Sequence, residues 1–203
     1  MLKTTLISIV LAVSLVMCGS ATAQNGGKAN VEAAIFAGGC FWCMVPPFEK
    51  THGVIQVTSG YIGGHTKDPT YEDYAEAGHV EAVEVIFDPQ KVSYGKLLDI
   101  FWRQIDPTDG GGQFVDRGPQ YRSAIFYLND GQKRLAEKSK DELNRSGRFK
   151  GPIVTEIIKA TTFYRAEEYH QDYYRKNPVR YEYYRYNSGR DQFLDKTWGK
   201  KRH

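Results

Sequence analysis

The chain has 203 residues, 25% of them charged and 13% aromatic, with 27 Lys plus Arg against 24 Asp plus Glu for a formal net charge of +3. That length suffices for a hydrophobic core in one or two domains, the near balance of charge argues against a nucleic-acid coat or a polybasic membrane patch, and the aromatic content argues against disorder. Mean hydropathy of −0.52 excludes a multispan membrane protein, and three cysteines (Cys18, Cys40 and Cys43) are too few for a disulfide scaffold.

Lys3, the apolar run 6–17 (LISIVLAVSLVM) and Ala21-Thr22-Ala23 read as a secretory signal peptide over residues 1–23. The run is shorter than the roughly 20 residues of a membrane span. Export to the periplasm or medium follows, with a lipid-modified Cys18 as the alternative. Met17 stands where lipoprotein signals usually carry a small residue. Residues 24–32 form a Gly- and Asn-rich flexible lead-in, and 33–203 a single catalytic domain.

Residues 33–37 (AAIFA) predict a buried strand that turns at Gly38-Gly39. Residues 40–50 predict a helix start, complicated by Pro46-Pro47. Strands follow at 54–61 and 80–87. In 93–105, Leu97, Leu98, Phe101, Trp102 and Ile105 recur at helical spacing behind a Ser93 N-cap. Residues 106–120 hold four Gly and two Pro and predict an irregular, functional loop. A strand at 123–128, a charged helix at 130–145, a strand at 153–159 and a helix at 166–176 complete the pattern. Asn177-Pro178 ends that last helix. The Tyr-rich basic tail from Tyr181 predicts a surface wrap that packs its aromatics on the core. The order β-α-β-β-α-β-α-β predicts an α+β fold: a two-layer α/β sandwich with a ferredoxin-like core, a mixed sheet and an irregular C-terminal wrap.

Cys40 and Cys43 flank Phe41-Trp42 where the first strand turns into a helix. A thiol at a helix N-terminus meets free N–H groups and the positive end of the helix dipole. Both lower a thiol pKa from about 8.5, so a reactive Cys40 thiolate is expected. Three readings of the pair stand open: a redox dithiol, half a zinc site completed from His52, His65, His79 and His170, or two packed core cysteines.

Five ordered blocks carry a resemblance. Gly39-Cys40-Phe41-Trp42, with Pro47-Phe48-Glu49-Lys50 and Gly53-Val54 after it, resembles the active-site segment of the peptide methionine sulfoxide reductase A family. Gly60-Tyr61-Ile62-Gly63-Gly64-His65 with Pro69-Thr70-Tyr71, and Gly78-His79-Val80-Glu81-Ala82-Val83, are similar to its next two blocks. The stretch from Asp116-Arg117-Gly118-Pro119-Gln120-Tyr121 to Ile125 and the stretch Ala166-Glu167-Glu168-Tyr169-His170-Gln171 with Asn177-Pro178 resemble two more.

The resemblance implies thiol-dependent reduction of methionine S-sulfoxide, free or in oxidised proteins. It implies Cys40 as nucleophile, Glu81 as proton donor, and Tyr71 and Tyr121 as hydrogen-bond donors to the sulfoxide oxygen. Phe41 and Trp42 would wall the S-methyl pocket, and Asp116 would help substrate placement or recycling. Many relatives resolve the resulting sulfenic acid with cysteines of the C-terminal tail. This tail has none, position 115 is Val, and Cys43 stands where many members have Gly, so a Cys40–Cys43 disulfide is expected. A thioredoxin-like dithiol donor would reduce it, with no cofactor, no metal, no nucleic acid and a monomeric chain. A general dithiol–disulfide oxidoreductase and a secreted, non-enzymatic zinc-binding module are the competing functions.

Overall fold

The computed structural model describes residues 30–199. The expected signal peptide, Cys18 and most of the expected lead-in lie outside the described residues. The elements in order are β1 (Glu32–Gly38), α1 (Phe41–Glu49), β2 (Val54–Ile62), β3 (Val80–Phe87), α2 (Tyr94–Trp102), β4 (Gly112–Gln113), β5 (Asp116–Arg117), β6 (Ser123–Tyr127), α3 (Asp130–Arg145), β7 (Glu156–Lys159), β8 (Tyr164–Arg165), α4 (Tyr173–Lys176), α5 (Pro178–Asn187) and α6 (Arg190–Trp198).

Six strands form one sheet in the order β7-β6-β1-β3-β2-β8. Neighbours among its four central strands pair antiparallel, and β1-α1-β2 interlocks with β3-α2-β6. That is the ferredoxin-like core expected from the element order. β7 joins β6 in parallel through α3, and β8 caps the far edge against β2. The sheet is therefore mixed.

Alternation along the strands sorts the two faces. Ala34 and Phe36 of β1, Val83, Val85 and Phe87 of β3 and Ile125 of β6 pack with the apolar faces of α1, α2 and α3. Ile35, Ala37, Val80, Ala82, Ala124 and Phe126 form the opposite face, covered by Ile158, Ala160 and Phe163. Phe36 is the hub of the helical side. Its ring stacks on Phe48 at 5.1 Å, on Phe101 at 5.2 Å and on Tyr94 at 6.1 Å.

Local signals place most boundaries. The Ser93 side chain accepts from Lys96 N and starts α2, and Asn129 accepts from Gln132 N and starts α3. α1 tolerates Pro46 and Pro47 in its interior. Pro47 has no N–H for the carbonyl of Cys43, four residues back. Arg185 of α5 supplies that donor from outside, Nη1 to O at 3.0 Å.

Three expectations are corrected. The strand expected over 153–159 is laddered only over Glu156–Lys159, because Val154 N turns away to the carbonyl of Pro107. The helix expected over 166–176 is a 3₁₀ turn at Glu168–His170 followed by the short α4. Asp172, in the left-handed region at φ 53°, separates them. The C-terminal wrap is not irregular: it is the helices α5 and α6. α5 buries no residue fully, so it carries no apolar stripe to announce it.

Phe36→Ala should empty the centre of the aromatic stack and cost about 3–5 kcal/mol of stability. Urea unfolding under reducing conditions measures it, with an unchanged urea dependence showing that the fold persists.

Candidate active site

β1 ends at Gly38, and Gly39 reverses the chain at φ 79°. A Cβ on Gly39 would stand 2.6 Å from Cβ of Gln113 and 2.9 Å from Nη2 of Arg190, so only glycine fits. Cys40 follows as N-cap of α1, and its side chain caps nothing. The first helical N–H, that of Phe41, donates instead to Glu81 Oε2 at 2.9 Å. Glu81 reaches it because it precedes Val83, Val85 and Phe87 on the helix-facing register of β3.

Around this junction lies a cleft of 170 Å³ lined by Cys40, Phe41, Trp42, Tyr71, Glu81, Asp116, Tyr121 and Tyr184. Seven of the eight residues singled out in the sequence meet here. The eighth, Cys43, is fully buried behind Cys40, one helical turn on.

Burial lifts the Glu81 carboxyl to about 8, against the opposing hydrogen bonds from Phe41 N and from Tyr74 Oη (3.1 Å). The negative charges of Asp116 and Cys43 add to the rise. Glu81 is thus a carboxylic acid, not a carboxylate, at neutral pH. Burial and then the Glu81 charge also raise the phenols of Tyr71 and Tyr121. Both remain hydrogen-bond donors. Asp116 is raised by burial, opposed by Tyr184 Oη donating to its Oδ2 at 2.6 Å and by the charge of Arg190.

The cysteines depart from expectation. Desolvation pushes the Cys40 thiol well up, and its hydrogen bond with Cys43 and the charges of Cys43, Glu81 and Asp116 push it further. Cys43 is instead pulled down to about 6 by the hydrogen bond from Cys40, opposed by burial and helped by Arg190 and Arg185. The surroundings thus favour the proton on Cys40 and the lower pKa on Cys43. The helix N-terminus does not make Cys40 the resting thiolate, because its first N–H is spent on Glu81 and Cys40 is buried.

Several supporting residues escaped sequence reasoning. Tyr184 walls the cleft, yet nothing marks it among 14 tyrosines. Tyr74 holds Glu81, and Glu167 accepts from both Tyr71 N and Tyr61 Oη at 2.8 Å. His170 accepts from the Trp42 indole at 3.2 Å, and burial lowers its pKa. Trp42 also stacks on Tyr173 at 3.7 Å. His170 therefore orients an aromatic wall. His79 accepts from Gly64 N at 3.1 Å. Among the described residues no group of three or more His, Cys, Asp or Glu could hold a metal ion.

Residues 32–202 match the family model described as peptide methionine sulfoxide reductase. The chain belongs to the peptide methionine sulfoxide reductase family. A relative from Bacillus licheniformis, peptide methionine sulfoxide reductase MsrA, is 59% identical over 172 residues, covering 84% of this chain and 95% of the relative. The MsrA of Listeria innocua is 57% identical over 173 residues, covering 84% and 98%. Among solved structures, methionine sulfoxide reductase A of Corynebacterium diphtheriae superposes with a TM-score of 0.67 at 34% identity, over 75% of this chain and 78% of that one. Reduced Mxr1 of Saccharomyces cerevisiae gives 0.68 at 31% identity, over 73% and 86%. The resemblance read from five sequence blocks and the ferredoxin-like core thus agree on a peptide methionine sulfoxide reductase.

Glu81 keeps its proton to about pH 8 in the folded chain but loses it near 4.5 when unfolded. Its contribution to stability is complete below pH 4.5 and is lost as pH rises to about 8. Glu81→Gln removes this dependence. Measured by urea unfolding with excess reductant, the stability of E81Q relative to the parent should climb across that window by roughly 3–5 kcal/mol.

Proposed function

We propose that this peptide-methionine (S)-S-oxide reductase works through Cys40 and Cys43 in the 170 Å³ cleft. Phe41 and Trp42 take the S-methyl group by apolar and sulfur–aromatic contact. Tyr71, Tyr121 and protonated Glu81 direct hydrogens at the sulfoxide oxygen, where negative charge gathers as the sulfur is attacked. Asp116, tied to Tyr184, places the substrate. Cys40 attacks the sulfoxide sulfur and passes its proton to Cys43, to which it is hydrogen-bonded. Glu81 protonates the oxygen, which ends on Cys40 as sulfenic acid while methionine leaves. Two electrons have moved from Cys40 to the substrate. Cys43 then attacks the Cys40 sulfur, the S–OH bond breaks, water leaves and the Cys40–Cys43 disulfide forms.

A dithiol donor returns the pair to thiols. Mxr1 of Saccharomyces cerevisiae, in a structure titled as its complex with Trx2, has a TM-score of 0.51 and 26% identity over 70% of this chain. That supports a thioredoxin-like donor here. The chain needs no prosthetic cofactor. The N-terminal pattern supports export, so the donor is itself exported or membrane-linked. The family match begins at residue 32, beyond the signal-like segment. An exported chain beginning at Gln24 supports that placement; a cytoplasmic chain that keeps residues 1–23 overturns it.

The observation that carries the mechanism is the joining of Cys40, protonated Glu81 and two phenols around one small cleft. In a dabsyl-methionine-S-sulfoxide assay with dithiothreitol, Cys40→Ser should abolish turnover and Glu81→Gln should lower kcat by about 10²–10⁴-fold. Insulin-disulfide reduction without sulfoxide turnover would favour a general oxidoreductase instead. After one equivalent of sulfoxide, Cys43→Ser should release one methionine, carry sulfenic acid on Cys40 by intact mass, and form no intramolecular disulfide. Normal turnover of that variant with the dithiol donor would remove Cys43 as resolver.

A further inference from the structure

Resting on the proposed Cys40–Cys43 disulfide, we propose that the dithiol donor attacks Cys40, and that Cys43 is the sulfur expelled, its thiolate held by Arg185 and Arg190 of the C-terminal helices. Access points the same way. Cys40 lines the open cleft and is 6% exposed, whereas Cys43 is 0% exposed and stands behind it. A donor thiolate entering the cleft meets the Cys40 sulfur first.

The surroundings of the two sulfurs differ. Cys40 shares its cleft with Asp116 and the protonated Glu81, which offer no positive charge to an anion on it. Cys43 faces Arg190 and Arg185, which favour one. Arg190 is completely buried, and its Nη atoms donate only to the carbonyls of Gly38 and Gln104, apart from a 3.8 Å contact to the Met44 sulfur. Its Nε has no partner, and it forms no salt bridge among the described residues. A buried guanidinium without a carboxylate is costly, and an anion forming on Cys43 offsets that cost. Arg185 is paired with Asp191 at 2.9 Å and donates to the Cys43 carbonyl that Pro47 leaves without a helical donor. Two cations thus stand behind the leaving sulfur. In disulfide exchange the sulfur that better bears the thiolate departs faster.

The exchange balances as follows. The donor thiolate forms a bond to Cys40 Sγ, the Cys40–Cys43 bond breaks, and its electron pair stays on Cys43. The donor's second thiol then attacks its own sulfur in the mixed disulfide, and the pair of that bond returns to Cys40. The donor becomes a disulfide, and the one proton that its thiolate–thiol pair carried ends on the Cys40–Cys43 pair. Arg185 and Arg190 touch no reacting atom of donor or substrate, so they are positioning residues.

The test oxidises the full chain with one equivalent of methionine sulfoxide and adds a thioredoxin-type protein whose second cysteine is Ser. The freed thiol is alkylated with excess N-ethylmaleimide at mildly acid pH, where thiol exchange is slow, and located by fragment-ion sequencing. Alkylated Cys43, with the donor on Cys40, is the expected result. Donor on Cys43 and alkylated Cys40 would overturn this inference and leave the resolver reading intact. If intact mass shows no intramolecular disulfide before the donor is added, the resolver reading falls, and this inference with it. Arg185→Gln should slow donor reduction of the preformed disulfide by about tenfold, with Arg185→Lys restoring most of the rate. The pH profile for alkylation of the freed Cys43 should move upward in R185Q. A fully buried Arg190 risks misfolding when replaced, so Arg185 carries the kinetic arm. An unchanged rate and profile in R185Q would overturn the role of the arginines.

Discussion

One hydrogen bond organises the site: the N–H of Phe41, first of the α1 helix, to the carboxyl of Glu81 on β3. A helix must satisfy its leading N–H groups, and Cys40 offers no side-chain cap. The acid is therefore drawn into the helix–sheet interface, where it loses water and keeps its proton. The same bond sets the helix start against the sheet and so presents Cys40 to the cleft. Sheet register makes the bond possible, because the alternation that sends Val83, Val85 and Phe87 into the helical core sends Glu81 there too. Acid and nucleophile are neighbours through the packing of the whole sandwich, not through a local motif.

The second organising feature is polarity across the cysteine pair. Asp116 and the protonated Glu81 line the cleft beside Cys40, and the guanidinium charges of Arg185 and Arg190 act on Cys43. In a buried site such charges are poorly screened. They bias where the pair's single negative charge rests, both when the thiols are free and when the disulfide opens. The proline that interrupts α1 belongs to this arrangement, since the vacant carbonyl of Cys43 is what Arg185 grips.

Much of this was legible in the residues. Hydrophobic periodicity and caps located the central strands and α1 to α3, and the element order implied the ferredoxin-like core. Seven of the eight chosen site residues share the cleft because block patterns tie chemistry to fixed positions. What could not be read were long-range partners. Tyr184 lies 68 residues from Asp116, and His170 lies 128 from Trp42. Neither pairing has a periodic or compositional trace. The rise in the Cys40 pKa was not legible because it comes from burial and from neighbours that only the folded chain brings together. The tail helices were missed because α5 packs through half-buried Tyr181, Tyr184 and Arg185, with no apolar stripe.

The site is finished by the end of the chain. Cys40 and Cys43 belong to the first helix, whereas Tyr184, Arg185 and Arg190 belong to the last two. During synthesis, N-terminus first, the thiols emerge well before the side chains that wall and polarise them. Chemical competence is thus acquired last, after the sheet is complete. A protease that clipped α5 and α6 would strip Tyr184, Arg185 and Arg190 from around the pair and leave two unguarded thiols.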